Sequence, residues 1–130
     1  MRPVKLILRG APVTKKNSQR ILRTGSGRPF IQPSAQYKRY EADCLRQIPR
    51  PFCQQIDTPV NVQCVFYMPT RRRCDLVNLL ESVCDILVRA GVLADDNCRV
   101  VAAHDGSCVR LDRENPRVEI DIVPWHGETI

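Results

Sequence analysis

The stretch from Asp75 to Gly91 constrains the fold most strongly, because its apolar side chains recur at helical spacing. One broad face of this helix carries Leu76, Leu79, Leu80, Val83, Ile86, Leu87 and Ala90. Asp75 is a favourable N-cap, and Gly91 supplies a stop at the other end. An amphipathic helix buries its apolar face against another layer, so the sequence predicts a packed helix from Asp75 to about Arg89.

Segments of strand character surround this helix and a second one. Val60 to Met68 alternates apolar and polar side chains, as a half-buried strand does. Ser34 is a predicted N-cap for a helix over about 35–48. Further strands are predicted at Val4 to Leu8, at 99–104 (RVVAAH) and at 117–123 (RVEIDIV), the last two separated by a polar connection. We expect an α/β (α+β) fold, with a mixed, mostly antiparallel sheet packed with two main helices.

Residues 13–33 interrupt this order with a long polar segment that contains two glycines and two prolines. Such a composition predicts a basic loop or a loose hairpin, and long loops inside compact domains are usually functional or disordered. At 130 residues the chain is long enough for one domain with a real core and short for two. We therefore predict a single domain over 1–130.

The composition argues against several classes of protein. No apolar run approaches the roughly 20 residues that a membrane-spanning helix needs, and the N-terminal stretch is unlike a signal peptide. Seven cysteines occur without any C-x-x-C pair, which indicates neither a zinc site nor a closed disulfide framework. Free cysteines are typical of a reducing compartment, so we expect a cytoplasmic protein.

The net charge of +6 conceals a difference between the two parts of the chain. Residues 1–50 contain twelve Lys or Arg and two Asp or Glu, whereas 51–130 contain eight and twelve. A basic arm joined to an acidic body suits a polyanion whose chemistry is done by carboxylates. The same balance also fits a merely soluble surface, or a small interaction protein whose basic arm meets an acidic protein.

Two acidic positions stand at opposite ends of the predicted central helix. Asp75 opens the helix, and the pair Asp95-Asp96 follows it in a predicted turn. Each has a structural interpretation, as an N-cap and as turn residues. If the chain folds back after Gly91, however, the two sites could converge on Mg²⁺, which is commonly held by one or two carboxylates and substrate phosphate oxygens. Arg71, Arg72 and Arg73 would then supply fork-shaped donors for phosphate.

Other catalytic arrangements lack support in the sequence. His104 and His126 belong to no nucleophile–base or zinc pattern, and we interpret both as structural. No glycine-rich phosphate-binding motif is present.

The run RRRCDLVNLLESVCDILVRAGVLADDNCRVV resembles the signature of the RusA family of Holliday junction resolvases, and GAPVTKKNSQR is similar to that family's basic beginning. The resemblance implies a small bacterial or prophage-encoded homodimer that cuts four-way DNA junctions with Mg²⁺ or Mn²⁺ during DNA recombination and repair. It implies that Asp75 and Asp96 are catalytic metal ligands. The expected DNA contacts are Lys15, Lys16, Arg20, Arg71, Arg72 and Arg73.

Two positions depart from the family's pattern of three acids and a lysine. The family's second acid falls on Val77, and its lysine falls on Glu81. These changes could leave a relative that binds junctions and cuts them poorly or not at all. Alternatively, Glu81 could replace the missing carboxylate, because it lies one turn beyond Val77 in the same angular sector.

Overall fold

The structure, a computed structural model, describes residues 1–15, 19–23 and 25–130, with the backbone alone described for 19–23 and 29–33. Seven strands and two α-helices follow one another along the described part of the chain. In order they are β1 (Val4–Arg9), β2 (Gln19–Arg23), β3 (Pro29–Pro33), α1 (Ala35–Gln47), β4 (Val60–Met68), α2 (Leu76–Ala90), β5 (Val101–Ala103), β6 (Cys108–Leu111) and β7 (Arg117–Pro124).

The main sheet has five strands and mixed directions, as the sequence predicted. β7 lies between β1 and β4 and is antiparallel to both. β5 and β6 pair in parallel with successive parts of the other edge of β4, at Val60–Asn61 and at Val65–Met68. β2 and β3 form a separate antiparallel pair, so the predicted basic loop contains a hairpin.

The core lies between the helices and one face of this sheet. Alternate residues of β1, β4 and β7 are buried, as period-two alternation requires. The deeply buried aromatic side chain of Phe66 comes from β4, and α2 contributes Leu79, Ile86 and Leu87. Full burial of one such side chain stabilises the fold by roughly 1.5–3 kcal/mol. Within the described residues, neither helix is long and apolar enough to cross a membrane.

The β4–α2–β5 unit returns the chain to the sheet after the central helix. Gly91 has φ 83°, and its N–H donates to Leu87 O and Val88 O. This left-handed conformation favours glycine, because a side chain there meets steric strain. Ala94 N then donates to Ile56 O at 2.8 Å, and β5 continues beside β4. The predicted fold-back after Gly91 is therefore present.

Two details of the predicted order were wrong. The predicted strand over 99–104 is shorter, Val101–Ala103, because residues before it form a turn in which Val100 N and Val101 N donate to Asn97 O. The polar connection before the last strand contains β6, which the sequence analysis missed. Its four residues are set by pairing with β4 rather than by an apolar pattern of their own.

Candidate active site

Asp75 caps the first turn of α2. Its carboxylate Oδ1 accepts from Val77 N at 2.9 Å and from Asn78 N at 3.3 Å. These bonds satisfy two of the backbone donors that a helix start leaves free. The side chain is exposed, and Oδ2 accepts no hydrogen bond from the described residues. Capping therefore uses one carboxylate oxygen and leaves the other available to a ligand.

The turn after Gly91 gives its two aspartates different surroundings. Asp95 Oδ1 accepts from Asp96 N at 2.7 Å, and Asp95 Oδ2 accepts from Asn97 Nδ2 at 3.2 Å. These hydrogen bonds, first of all the one from the Asp96 backbone, lower the pKa of Asp95. Asp95 thus holds the turn together. The side chain of Asp96 is exposed, and through a side-chain hydrogen bond it also contributes to the lowered pKa of Asp95.

An open pocket of about 340 Å³ joins this turn to one face of α2. Its walls are formed by Val77, Leu80, Glu81, Cys84, Asp96, Val101 and His104. Glu81 and Asp96 are its two carboxylates, and the Val77 side chain, 69% exposed, lies at its rim. We call this the Glu81–Asp96 pocket. Asp75, at the head of the helix, is not among its lining residues.

Cys84 and His104 form an interior wall of the Glu81–Asp96 pocket. His104 Nδ1 donates to Val62 O at 2.8 Å, because a carbonyl can only accept, and Nε2 lies 4.0 Å from Cys84 Sγ. Burial, followed by the charges of Asp96 and Asp85, raises the pKa of Cys84 to about 12. Cys84 is therefore a protonated thiol, and the effect of Asp96 on it reflects the closeness of that carboxylate to α2.

Ser82, Asp85 and Arg89 lie on a polar side of α2 that does not line this pocket, and each contacts another part of the chain. Ser82 is buried and accepts from Lys15 N at 2.9 Å. Asp85 Oδ2 lies 3.3 Å from Lys15 Nζ, and Arg89 pairs with Glu41 of α1 at 3.6 Å. The side of α2 that carries Ser82 and Asp85 is thus covered in part by the segment that leads into the basic hairpin. Lys15, predicted to contact DNA, is held against α2 by both its backbone and its amine.

The donors in the Glu81–Asp96 pocket suit a hard cation. Carboxylate oxygens are the ligands that Mg²⁺ prefers, and one or two of them suffice when waters and substrate phosphate complete the shell. The described part of the chain contains no cluster of three or more His, Cys, Asp or Glu side chains arranged for a metal ion. Val77 lies on the same face, and its apolar side chain cannot bind a metal ion. Glu81 and Asp96 fit an ion that is held partly by its substrate.

A second pocket, of about 230 Å³, lies where β4 and β6 end. It is lined by Met68, Thr70, Arg71, Arg72, Val109, Arg110 and Leu111. We call it the arginine pocket. Arg71 and Arg72 were predicted from the sequence, whereas Arg110 was missed because it lies in the undetected strand β6. The alternation of Val109, Arg110 and Leu111 covers only three residues, which is too few to predict a strand.

The other predicted DNA contacts are Arg73, Lys16 and Arg20. Arg73 is exposed and lines neither pocket. Lys16 lies outside the described residues. Arg20 lies in β2, and its side chain is outside the described part of the structure.

Comparison with known proteins gives two agreeing matches. The family model described as Endodeoxyribonuclease RusA matches residues 10–123, a range that includes Asp75, Glu81 and Asp96. A protein of Aquifex aeolicus (strain VF5), named Crossover junction endodeoxyribonuclease RusA, is 32% identical over 98 residues. That match covers 75% of this chain and 75% of the Aquifex protein.

Proposed function

The chain belongs to the RusA family of endodeoxyribonucleases, and from this premise we propose that it resolves four-way DNA junctions by Mg²⁺- or Mn²⁺-dependent hydrolysis of phosphodiesters. The observation that carries the proposal is the Glu81–Asp96 pocket, which brings the carboxylate after α2 beside a carboxylate on the helix. The role of the family's second acid passes to Glu81, since Val77 cannot bind a cation.

The proposed metal ligands are Glu81 and Asp96, which line one pocket, and Asp75, which the resemblance to the family implies and which lies at the head of α2 outside that pocket. Asp75 retains Oδ2 for this role after capping α2, and Asp96 is exposed on the turn that Asp95 holds. A bound divalent cation would supply charge stabilisation at a phosphoryl oxygen and lower the pKa of a water. The protein's own contribution is to hold these oxygens on a helix start, a helix face and a hydrogen-bonded turn.

Basic residues would orient the DNA backbone toward these carboxylates. Arg71, Arg72 and Arg73 are exposed, and Cys74 alone separates them from Asp75 in the chain. Lys15, Lys16 and Arg20 remain proposed contacts from the basic segment, although Lys15 would exchange its pairing with Asp85 for a phosphate. That pair is part-exposed, and such pairs contribute about 0–1 kcal/mol, so the exchange costs little.

The substrate also bears on the assembly that we propose. A four-way junction presents two equivalent strands for cutting, which a two-fold symmetric homodimer would match with one site in each subunit.

The proposal is tested by cutting a synthetic four-way junction and a linear duplex of the same sequence in Mg²⁺, Mn²⁺ or chelator. We expect metal-dependent cutting of the junction alone. Asp96→Asn should lower the rate by about 100-fold or more, because a bound metal ion contributes several kcal/mol of charge stabilisation. Asp57→Asn is a matched control, since Asp57 is exposed and lines neither pocket.

Two outcomes would contradict the proposal. Salt-sensitive junction binding without products in either metal would indicate a binding protein. Equal affinity for branched and linear DNA, without cutting, would indicate that the basic arm has another partner.

A further inference from the structure

The arginine pocket combines residues from two separate parts of the chain. Tyr67 and Met68 of β4 are in register with Arg110 and Leu111 of β6. Asp112 N then donates to Met68 O at 2.9 Å, which fixes the end of β6 beside the point where β4 gives way to Thr70 and the arginines. Arg110 is thereby carried on a paired strand to the same pocket as Arg71 and Arg72.

None of the three guanidinium groups of this pocket forms a salt bridge with a described residue, although Cys108 and the more distant Glu119 raise the pKa of Arg110. Arg117, on strand β7 beside β4, differs from these three arginines in its partners. Arg117 pairs with Asp112 at 2.9 Å and with Glu119 at 2.8 Å, and it packs 3.8 Å from the centroid of the Tyr67 ring. Arg117 is thus a neutralised, structural cation, whereas Arg71, Arg72 and Arg110 take part in none of the salt bridges among the described residues.

Guanidinium groups that line a small open space and form no salt bridge favour an anion there. A guanidinium presents donors in a planar fork that matches two phosphate oxygens, and charge-assisted bonds of this kind are stronger than neutral ones. The side chains of Met68, Val109 and Leu111 add an apolar part to the wall. Such a wall suits the deoxyribose that flanks a phosphodiester better than it suits a fully hydrated free ion.

We propose that Arg110, together with Arg71 and Arg72, forms a subsite for a DNA backbone phosphate other than the one that is cut. The arginine pocket and the Glu81–Asp96 pocket share no lining residue, so one phosphate cannot occupy both. The subsite rests on the proposed function for the source of its phosphate. It adds a contact from β6 that fixes the register of the DNA relative to the carboxylates.

The test is the affinity for a synthetic four-way junction in chelator, where no cutting occurs. Arg110→Ala should weaken binding by about tenfold at 0.1 M salt, since one charge-assisted contact is lost. The slope of log affinity against log salt should become shallower by about 0.9. Arg113→Ala is the matched control, because it removes the same charge from an exposed arginine outside both pockets and should have a smaller effect on both quantities. Arg110→Lys keeps the charge without the fork and should bind with intermediate affinity.

Equal affinity and equal salt slope in the Arg110→Ala and Arg113→Ala variants would overturn the subsite. A thermal melt of each variant checks folding. Calorimetry with inorganic phosphate separates the two sources of the anion: loss of phosphate binding in Arg110→Ala with unchanged junction affinity would identify a free-anion site and overturn the DNA assignment. Because these readouts need no cutting, the subsite can hold even if the proposed nuclease activity fails.

Discussion

Asp75 is both the N-cap of α2 and a proposed metal ligand. Its Oδ1 caps α2 through two backbone N–H groups, and its Oδ2 takes no bond from the described residues. From the sequence, the cap and the metal ligand were alternatives. The geometry makes them compatible, because the cap uses one oxygen. In the proposed site, Asp95 holds the turn through its hydrogen bonds and its neighbour Asp96 is the metal ligand.

The two roles of Asp75 can be separated by substitution. Asparagine caps helices about as well as aspartate, so Asp75→Asn should change the free energy of unfolding by less than about 0.5 kcal/mol, whereas Asp75→Ala should cost about 1 kcal/mol. Both variants should lose junction cutting, because both remove the carboxylate. Urea unfolding and a cleavage assay measure the two effects. Cutting at the wild-type rate by Asp75→Asn would restrict Asp75 to capping.

At the level of elements, sequence patterns predicted the parts with their own periodicity. α2 follows from helical spacing, and β1, β4 and β7 follow from alternation or β-branched runs. β5 and β6 have three and four residues, and their pairing with β4 decides their conformation, so local pattern could not specify them. Arg110 was missed for this reason.

The faces of α2 illustrate a second limit. Helical periodicity places Ser82 and Asp85 on one side of α2 and Val77 and Glu81 on another, but it does not predict which segments pack against each side. The segment at Lys15 packs against the first side, where Ser82 is buried, and the turn after Gly91 brings Asp96 to the second side. The structure thus brings Asp96 to the face of α2 that carries Glu81, whereas the convergence of Asp96 with Asp75 stays a prediction.

At the level of the whole molecule, the two-fold symmetry of a four-way junction favours a homodimer. One chain of 14.8 kDa offers one Glu81–Asp96 pocket, whereas resolution requires two cuts. We expect sedimentation equilibrium at micromolar concentration to give twice the mass of one chain. A mass of one chain, both free and with junction DNA bound, would contradict the proposed homodimer and would require the two cuts to be made in separate encounters.

The most direct test of the account concerns Glu81, the carboxylate that stands where the family has a lysine. We expect Glu81→Gln to abolish metal-dependent cutting of a four-way junction while junction affinity in chelator stays within about twofold, because the substitution removes a metal-binding oxygen and keeps the side chain's size. Glu114→Gln, at an exposed glutamate outside both pockets, is the matched control and should cut like the wild type. Unchanged cutting by Glu81→Gln in both Mg²⁺ and Mn²⁺ would contradict the assignment of the pocket as the active site.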